Sequence, residues 1–223
     1  MQVNVLVACE ESQEVCKAFR AKGHNAFSCD IQPCSGGHPE WHIQTYVETV
    51  LNPMPNGDPT DGKGIFFVTT DGMNHYLHGE WDMILAFPPC TDLAVSGARH
   101  FERKRKDGSQ QRSINFFILF TRLNCKKVVI ENPVGIMSTY YRKPDQIIQP
   151  YEFGHPYTKK TCLWLKGVSK LQPTKILVKP ETGWVNQCFT NGRYSGFNGK
   201  FQGKKNRSKT FPGIAQAMAD QWG

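Results

Sequence analysis

Residues 3–8 read VNVLVA, residues 11–23 read ESQEVCKAFRAKG and residues 24–29 read HNAFSC. A short apolar run like the first is what a strand buried on both faces requires. The second stretch sets Val15, Ala18 and Phe19 on one helical face and closes on Gly23, a glycine stop. The third is strand-like again. Strand, helix and strand in immediate succession need a right-handed crossover between parallel strands, so this opening predicts a doubly wound α/β sheet.

Working outward, the pattern breaks between Ile31 and Glu80, where Pro33, Gly36, Gly37, Pro39, Pro53, Pro55, Gly57, Pro59, Gly62 and Gly64 punctuate the chain. Loops and a local insertion over about 52–80 are expected there, with GIFFVTT as an added strand or hairpin arm. DMILAF (82–87) is another buried strand, ended by Pro88-Pro89. After the basic stretch RHFERKRKDG, residues 110–123 read as a helix, and KKVVIENP supplies the next strand with Glu131 at its exit. TCLWLKG reads as a later strand. Residues 167–210 lack strong periodicity, and FPGIAQAMADQW closes as a short helix with Pro212 near its first turn.

The 223 residues suit one domain over 1–223, with 39% apolar and 21% charged residues excluding a disordered or fibrous chain. No run approaches ~18 consecutive apolar residues, which argues against a membrane span. The start MQVNVLVACEES lacks the pattern of a signal peptide, so a cytoplasmic protein is expected. In a reducing compartment the eight cysteines are better read as thiols than as a disulfide framework. A net charge of +8 favours a polyanionic partner.

Two polar residues stand at the carboxyl ends of predicted strands, Cys90 in FPPC and Glu131 in ENP. Open α/β sheets bind ligands at that edge. A thiolate on a turn after a strand is a nucleophile suited to an electron-poor pyrimidine carbon. A carboxylic acid nearby can hydrogen-bond or protonate the ring nitrogen that receives the electron density. The plainer alternatives are a buried cysteine after a proline turn and a carboxylate capping the turn at Pro133.

FPPC and ENP together make the chain similar to the DNA cytosine-5 methyltransferases, especially the compact versions of phage and prophage sequences. That family carries its nucleophile in a Pro-Cys after a hydrophobic strand, matched by Pro89-Cys90. Its Glu-Asn-Val element is matched by Glu131-Asn132-Pro133, with proline replacing the valine. The resemblance implies a class I S-adenosylmethionine-dependent methyltransferase-like, Rossmann-like sheet of seven strands with a reduced target-recognition segment. It also implies S-adenosyl-L-methionine as cofactor, DNA as partner, and base flipping, because carbon 6 is stacked inside a duplex.

The implied cofactor set is Ala8, Cys9, Glu10, Glu11 and Ser12, in place of the family's Phe-x-Gly-x-Gly loop, with Asp30, Ile31 and Pro88. The cofactor has no pyrophosphate to cradle, so a strict glycine pattern matters less, and its cationic groups tolerate carboxylates. Asp30 stands where an acid can accept hydrogen bonds from ribose hydroxyls. Thr45 and Tyr46 replace the family's Gly-Asp after the third strand, and Lys159-Lys160-Thr161 replaces its arginine-rich element. For DNA, the implied contacts are Arg99, Lys159, Lys160, Lys204, Lys205 and Arg207. Within 167–210 lysines and arginines interleave with Trp184, Phe189, Tyr194 and Phe197, as stacking and phosphate contact require. The basic run Arg99, Arg103, Lys104, Arg105 and Lys106 is the alternative surface.

Cys29, Cys34, His38 and His42 can be forced toward a tetrahedral zinc pattern, but the first falls in a strand and the segment between reads as a loop over the cofactor pocket, so no metal is expected. Two rival functions stay open. An exocyclic amino methyltransferase uses a polar first and aromatic last residue in its Asp-Pro-Pro-aromatic loop, where this chain has Phe87 and Cys90. A non-catalytic DNA-binding protein that keeps the fold is suggested by the altered cofactor loop.

Overall fold

The computed structural model describes residues 1–51, 64–179 and 208–223. Its centre is a seven-stranded sheet built from β1 (Asn4–Ala8), β2 (Asn25–Asp30), β3 (His42–Gln44), β6 (Met83–Ala86), β7 (Lys127–Pro133), β8 (Gln146–Ile148) and β9 (Thr161–Lys166). The order across the sheet is β3-β2-β1-β6-β7-β9-β8. The first five in that order are mutually parallel, and β9 pairs antiparallel with both β7 and β8, so it alone runs against the rest. This is a mostly parallel, Rossmann-like seven-stranded α/β sheet, the fold class expected from the sequence.

The apolar runs follow from burial on both faces. Leu6, Phe27, Ile84, Val128 and Ile130 face one layer, made by Ile114, Phe117 and Phe120 of α4 (Ser109–Thr121). Val5, Val7, Met83, Leu85 and Val129 face the other, made by α1 (Glu14–Ala21) and α6 (Pro212–Trp222). The first helix is shorter than its sequence pattern, since Gln13 has left-handed backbone just ahead of it. Gly23, at φ 81°, ends it as expected.

GIFFVTT forms one arm of a hairpin in which β4 (Gly64–Val68) pairs with β5 (Asn74–His78). Ile65, Phe67 and Leu77 from the hairpin are buried and extend the first layer, with the Phe67 ring against those of Phe27 and Trp81. The basic stretch before α4 is itself helical, as α3 (Phe101–Lys106), and the left-handed Gly108 separates the two helices. Among the described residues no helix is long and apolar enough to cross a membrane.

Candidate active site

From β1 the chain builds outward through β2 and β3, then returns to lay β6 on the other side of β1. Such a reversal opens a crevice at the carboxyl ends of the strands. Around it stand the turn 9–13 after β1, Asp30 and Ile31 at the end of β2, Thr45 and Tyr46 after β3, and Phe87 to Cys90 after β6.

The β1–α1 turn contains two non-glycine residues with left-handed backbone, Cys9 at φ 62° and Gln13 at φ 59°. That conformation costs of order 1 kcal/mol per residue and persists only when the surroundings hold it. Cys9 donates its amide to the Cys29 carbonyl at 2.7 Å. The Gln13 side chain is fully buried and bonds both ways to the His38 backbone, Nε2 to the carbonyl at 2.7 Å and Oε1 from the amide at 3.1 Å. Ser35 donates to the Glu11 carbonyl at 2.7 Å. Segment 31–38 therefore lies directly against the turn. At Gly36 a Cβ would meet the Ser12 carbonyl oxygen at 2.6 Å, so only glycine permits this approach.

The proposed cofactor residues separate into two groups. Ala8 belongs to the core, and Ser12 and Pro88 are buried. Glu10 points inward, its two carboxylate oxygens accepting the amides of Val15 (2.7 Å) and Cys16 (3.1 Å) at the start of α1. Burial pushes its pKa up to about 8, against those two bonds, which favour the charged form. The Glu10 carboxylate thus caps a helix and is not offered to a ligand. Cys9, Glu11 and Asp30 keep part of their surface, and Ile31 is 62% exposed beside Asp30. Asp30 Oδ1 accepts the Gln32 amide at 2.9 Å.

His42, His38 and Cys29 have partners within the protein. His42 is buried, with Nδ1 on Ser28 Oγ and Nε2 on the Gln32 carbonyl, both at 2.9 Å. His38 stacks on Trp41 at 3.8 Å and pairs with Glu40, while the Cys29 thiol points to the Thr45 carbonyl. Among the described residues no three His, Cys, Asp or Glu side chains gather in a metal-holding group.

On the other side of the switch point, the chain leaves β6 through a buried Pro88 and an exposed Pro89 to a half-buried Cys90. Glu131 does not stand at a strand exit as its sequence position suggests. Pairing with β9 carries β7 on to Pro133, opposing Glu131 to Leu163 and Pro133 to Thr161. Alternation puts Glu131 on the α1/α6 side of the sheet, where it lines a narrow crevice with Phe87, Lys159, Thr161, Thr210 and Phe211. Cys90 is not part of that lining. Burial holds the Glu131 carboxyl above its ordinary pKa, and the Lys159 cation partly opposes this. Lys159, expected at DNA, therefore stands beside Glu131, whereas Lys160 is exposed.

Asn132, on the opposite side of β7, donates its amide to the Pro88 carbonyl at 2.8 Å. Beyond it, Ile136 donates to the Leu93 carbonyl and Val95 to the Val134 carbonyl, each at 3.0 Å. A Cβ on Gly135 would meet the Leu93 carbonyl oxygen at 2.4 Å, so the glycine of ENPVG allows the two loops to touch. These ties bring the FPPC and ENP elements into one unit.

In the basic run, Arg99, Arg103, Arg105 and Lys106 are exposed, but Lys104 is buried and forms an ion pair with Asp92 at 3.1 Å. Lys104, grouped with the DNA-facing cations on sequence, thus faces inward, and Asn132, to which sequence gave no role, ties two loops. The available signal was the spacing of Gln110 and Ser113, three apart on one helical face with Lys104 preceding them, a polar stripe where a core stripe would be apolar. Lys204, Lys205 and Arg207, with Trp184, Phe189, Tyr194 and Phe197, lie outside the described residues.

No protein-family model matches the chain, and no curated protein matches it. Among solved structures it is similar to one described as a DNA modification methyltransferase encoded within a prophage (E. coli), at 18% identity and a TM-score of 0.46 over 79% of this chain and 52% of that one. It is also similar to the methyltransferase EhMeth of Entamoeba histolytica, at 15% identity and a TM-score of 0.44 over 86% of this chain and 61% of that one. This chain thus spans between half and two thirds of either length. At that overlap neither structure decides the chemistry, which must come from the residues themselves.

Proposed function

We propose that this chain is an S-adenosylmethionine-dependent methyltransferase acting on carbon 5 of cytosine in DNA. The observation that carries the proposal is the Asn132–Pro88 hydrogen bond of 2.8 Å, which couples the exits of two neighbouring strands. Cys90 follows Pro88 by two residues, and Glu131 precedes Asn132 by one. A thiol on the loop after β6 and a carboxyl within the last paired residues of β7, on segments tied by that bond, are the two groups that addition to a pyrimidine ring requires.

The crevice beside them suits the cofactor. Asp30 offers a carboxylate for ribose hydroxyls, and the exposed Ile31 and Tyr46 offer apolar and aromatic surface for a base. When bound, S-adenosylmethionine supplies an activated methyl group. The Cys90 thiolate adds to carbon 6, and the displaced electron pair is stabilised toward N3. There Glu131, kept in its acid form to higher pH by burial, donates a hydrogen bond or proton. Once carbon 5 carries the methyl group, its proton passes to water, the carbon–sulfur bond breaks as the ring double bond re-forms, Cys90 leaves as thiolate, and Glu131 recovers any proton it gave to N3. The flipped base this demands is consistent with a chain of net charge +8, whose exposed arginines and lysines suit phosphate.

The test is incubation with tritiated cofactor and DNA of mixed sequence, followed by nucleoside separation. Label in 5-methyldeoxycytidine is the expected result. Label in an N-methylated base makes the chain an exocyclic amino methyltransferase. No label, with no cofactor binding by calorimetry at millimolar concentration, makes it a non-catalytic DNA-binding protein.

A further inference from the structure

The segment after Cys90 is held from a second side. Lys104 Nζ on α3 lies 3.1 Å from Asp92 Oδ1 and also donates to the Thr91 carbonyl. From α4, Ser113 Oγ donates to Asp92 Oδ2 at 2.9 Å and Gln110 Nε2 to the Asp92 carbonyl at 3.1 Å. Three side chains from two helices thus converge on one residue. The Lys104 side chain is only 6% exposed and that of Asp92 22%. Within the loop, the amides of Leu93 and Ala94 both donate to the Cys90 carbonyl, at 3.0 and 2.9 Å.

A lysine this deeply buried is costly to desolvate, and an apolar side chain of similar size would often serve stability as well. The arrangement makes sense as a device of registry. Cys90 lies between two anchors, Pro88 fastened to Asn132 and Asp92 fastened to Lys104, each two residues away. Two extended residues reach only ~7 Å, so a shift at either anchor passes to the thiol with little slack.

We propose that Asp92 and Lys104 are positioning residues that set the place of the Cys90 thiol, a role that rests on the function proposed above. The basic run on α3 is therefore divided in purpose, with Lys104 serving the nucleophile's loop while its neighbours face solvent. A misplacement of about 1 Å can cost on the order of 10²-fold in rate.

Lys104→Met is expected to lower the single-turnover rate of methyl transfer by about 10²-fold while DNA affinity stays unchanged, and Lys104→Arg to recover most of the loss. An unchanged rate in folded Lys104→Met overturns the proposal. So does a loss carried by DNA affinity, which would make Lys104 a phosphate contact. Asp92→Asn keeps the shape of the site and gives the same decision if Lys104→Met does not fold. Iodoacetamide labelling of Cys90, followed at the peptide level by mass spectrometry, reads the anchor without any turnover. A rate altered by ~10-fold or more in the variants supports it, and equal rates overturn it. If the unmodified protein transfers no methyl group to DNA, the functional proposal fails while this labelling still decides the role of the pair.

Discussion

The side-chain amide of Asn132 donates to the main-chain carbonyl of Pro88 at 2.8 Å, in a buried position that joins the ends of β7 and β6. The other amide atom, Asn132 Oδ1, is also buried and has no hydrogen-bond partner among the described residues. An unsatisfied buried acceptor is rare in folded proteins and is tolerated here beside the coupled loops. Asn132→Ala should leave the Pro88 carbonyl unpaired and cost about 1–3 kcal/mol in urea denaturation. Asn132→Asp should cost more, because it sets a second acceptor against that carbonyl. If neither variant loses stability, the bond does not hold the two loops together.

Cys90→Ser is expected to abolish turnover with little change in melting temperature, since Cys90 is half-buried on a turn and contributes little to the core. Turnover is read by label transfer and folding by thermal denaturation. Full activity in a folded Cys90→Ser protein would remove this thiol from the mechanism.

In the mechanism proposed above Glu131 acts in its acid form, and the single-turnover rate should then fall as pH rises through its raised pKa. Lys159 draws that pKa down, so Lys159→Met should move the alkaline limb to higher pH. A limb that stays in place would show that Glu131 does not carry the proton.

Glu10 has a pKa of about 8 in the folded chain against 4.5 as its ordinary value. The folded state therefore holds this proton more tightly than the unfolded state does. Its contribution to stability is full below pH ~4.5 and is lost as pH rises to about 8. Melting temperature should decline over that window, and Glu10→Gln should flatten the decline whatever its effect at acid pH. An unaltered slope in the variant would assign the pH dependence to other groups.

The exposed residues Arg103, Arg105 and Lys106 follow the Cys90 loop, although Arg103 pairs with Asp107 and Lys106 with Glu102. Each phosphate contact steepens the salt dependence of DNA affinity by roughly 0.9 log units per log unit of salt. Changing all three to Ala should flatten that dependence by about 2–3 units, measured by fluorescence anisotropy across a salt series. No flattening would move the phosphate surface away from α3. Lys104 is left intact in this variant because it is buried against Asp92.

The sheet was legible because strands buried on both faces must carry continuous apolar runs, and VLVA, MILAF and VVI within VNVLVA, DMILAF and KKVVIENP are such runs. Cys90 and Glu131 could be singled out for the same reason, as polar residues where such runs stop. The extent of β7 was less legible, since the pairing that carries it to Pro133 comes from β9, some thirty residues later. Sidedness was not legible at all in the basic run. Five nearby cations look alike in one dimension, and only the packing of α3 beside the Cys90 loop turns Lys104 inward while the rest meet solvent.

What the sequence determined by itself was the parallel α/β arrangement and the residue types at its strand ends, because hydrophobic periodicity and proline breaks act locally. Tertiary structure alone decided what those residues touch. It commits the Glu10 carboxylate to the amides of α1, stands Lys159 beside Glu131, and fastens the Cys90 loop through Asn132 on one side and Lys104 on the other. The physical reason is that burial and hydrogen bonding are settled by neighbours distant in the chain, and the worth of a charge depends on those neighbours more than on its place in the sequence.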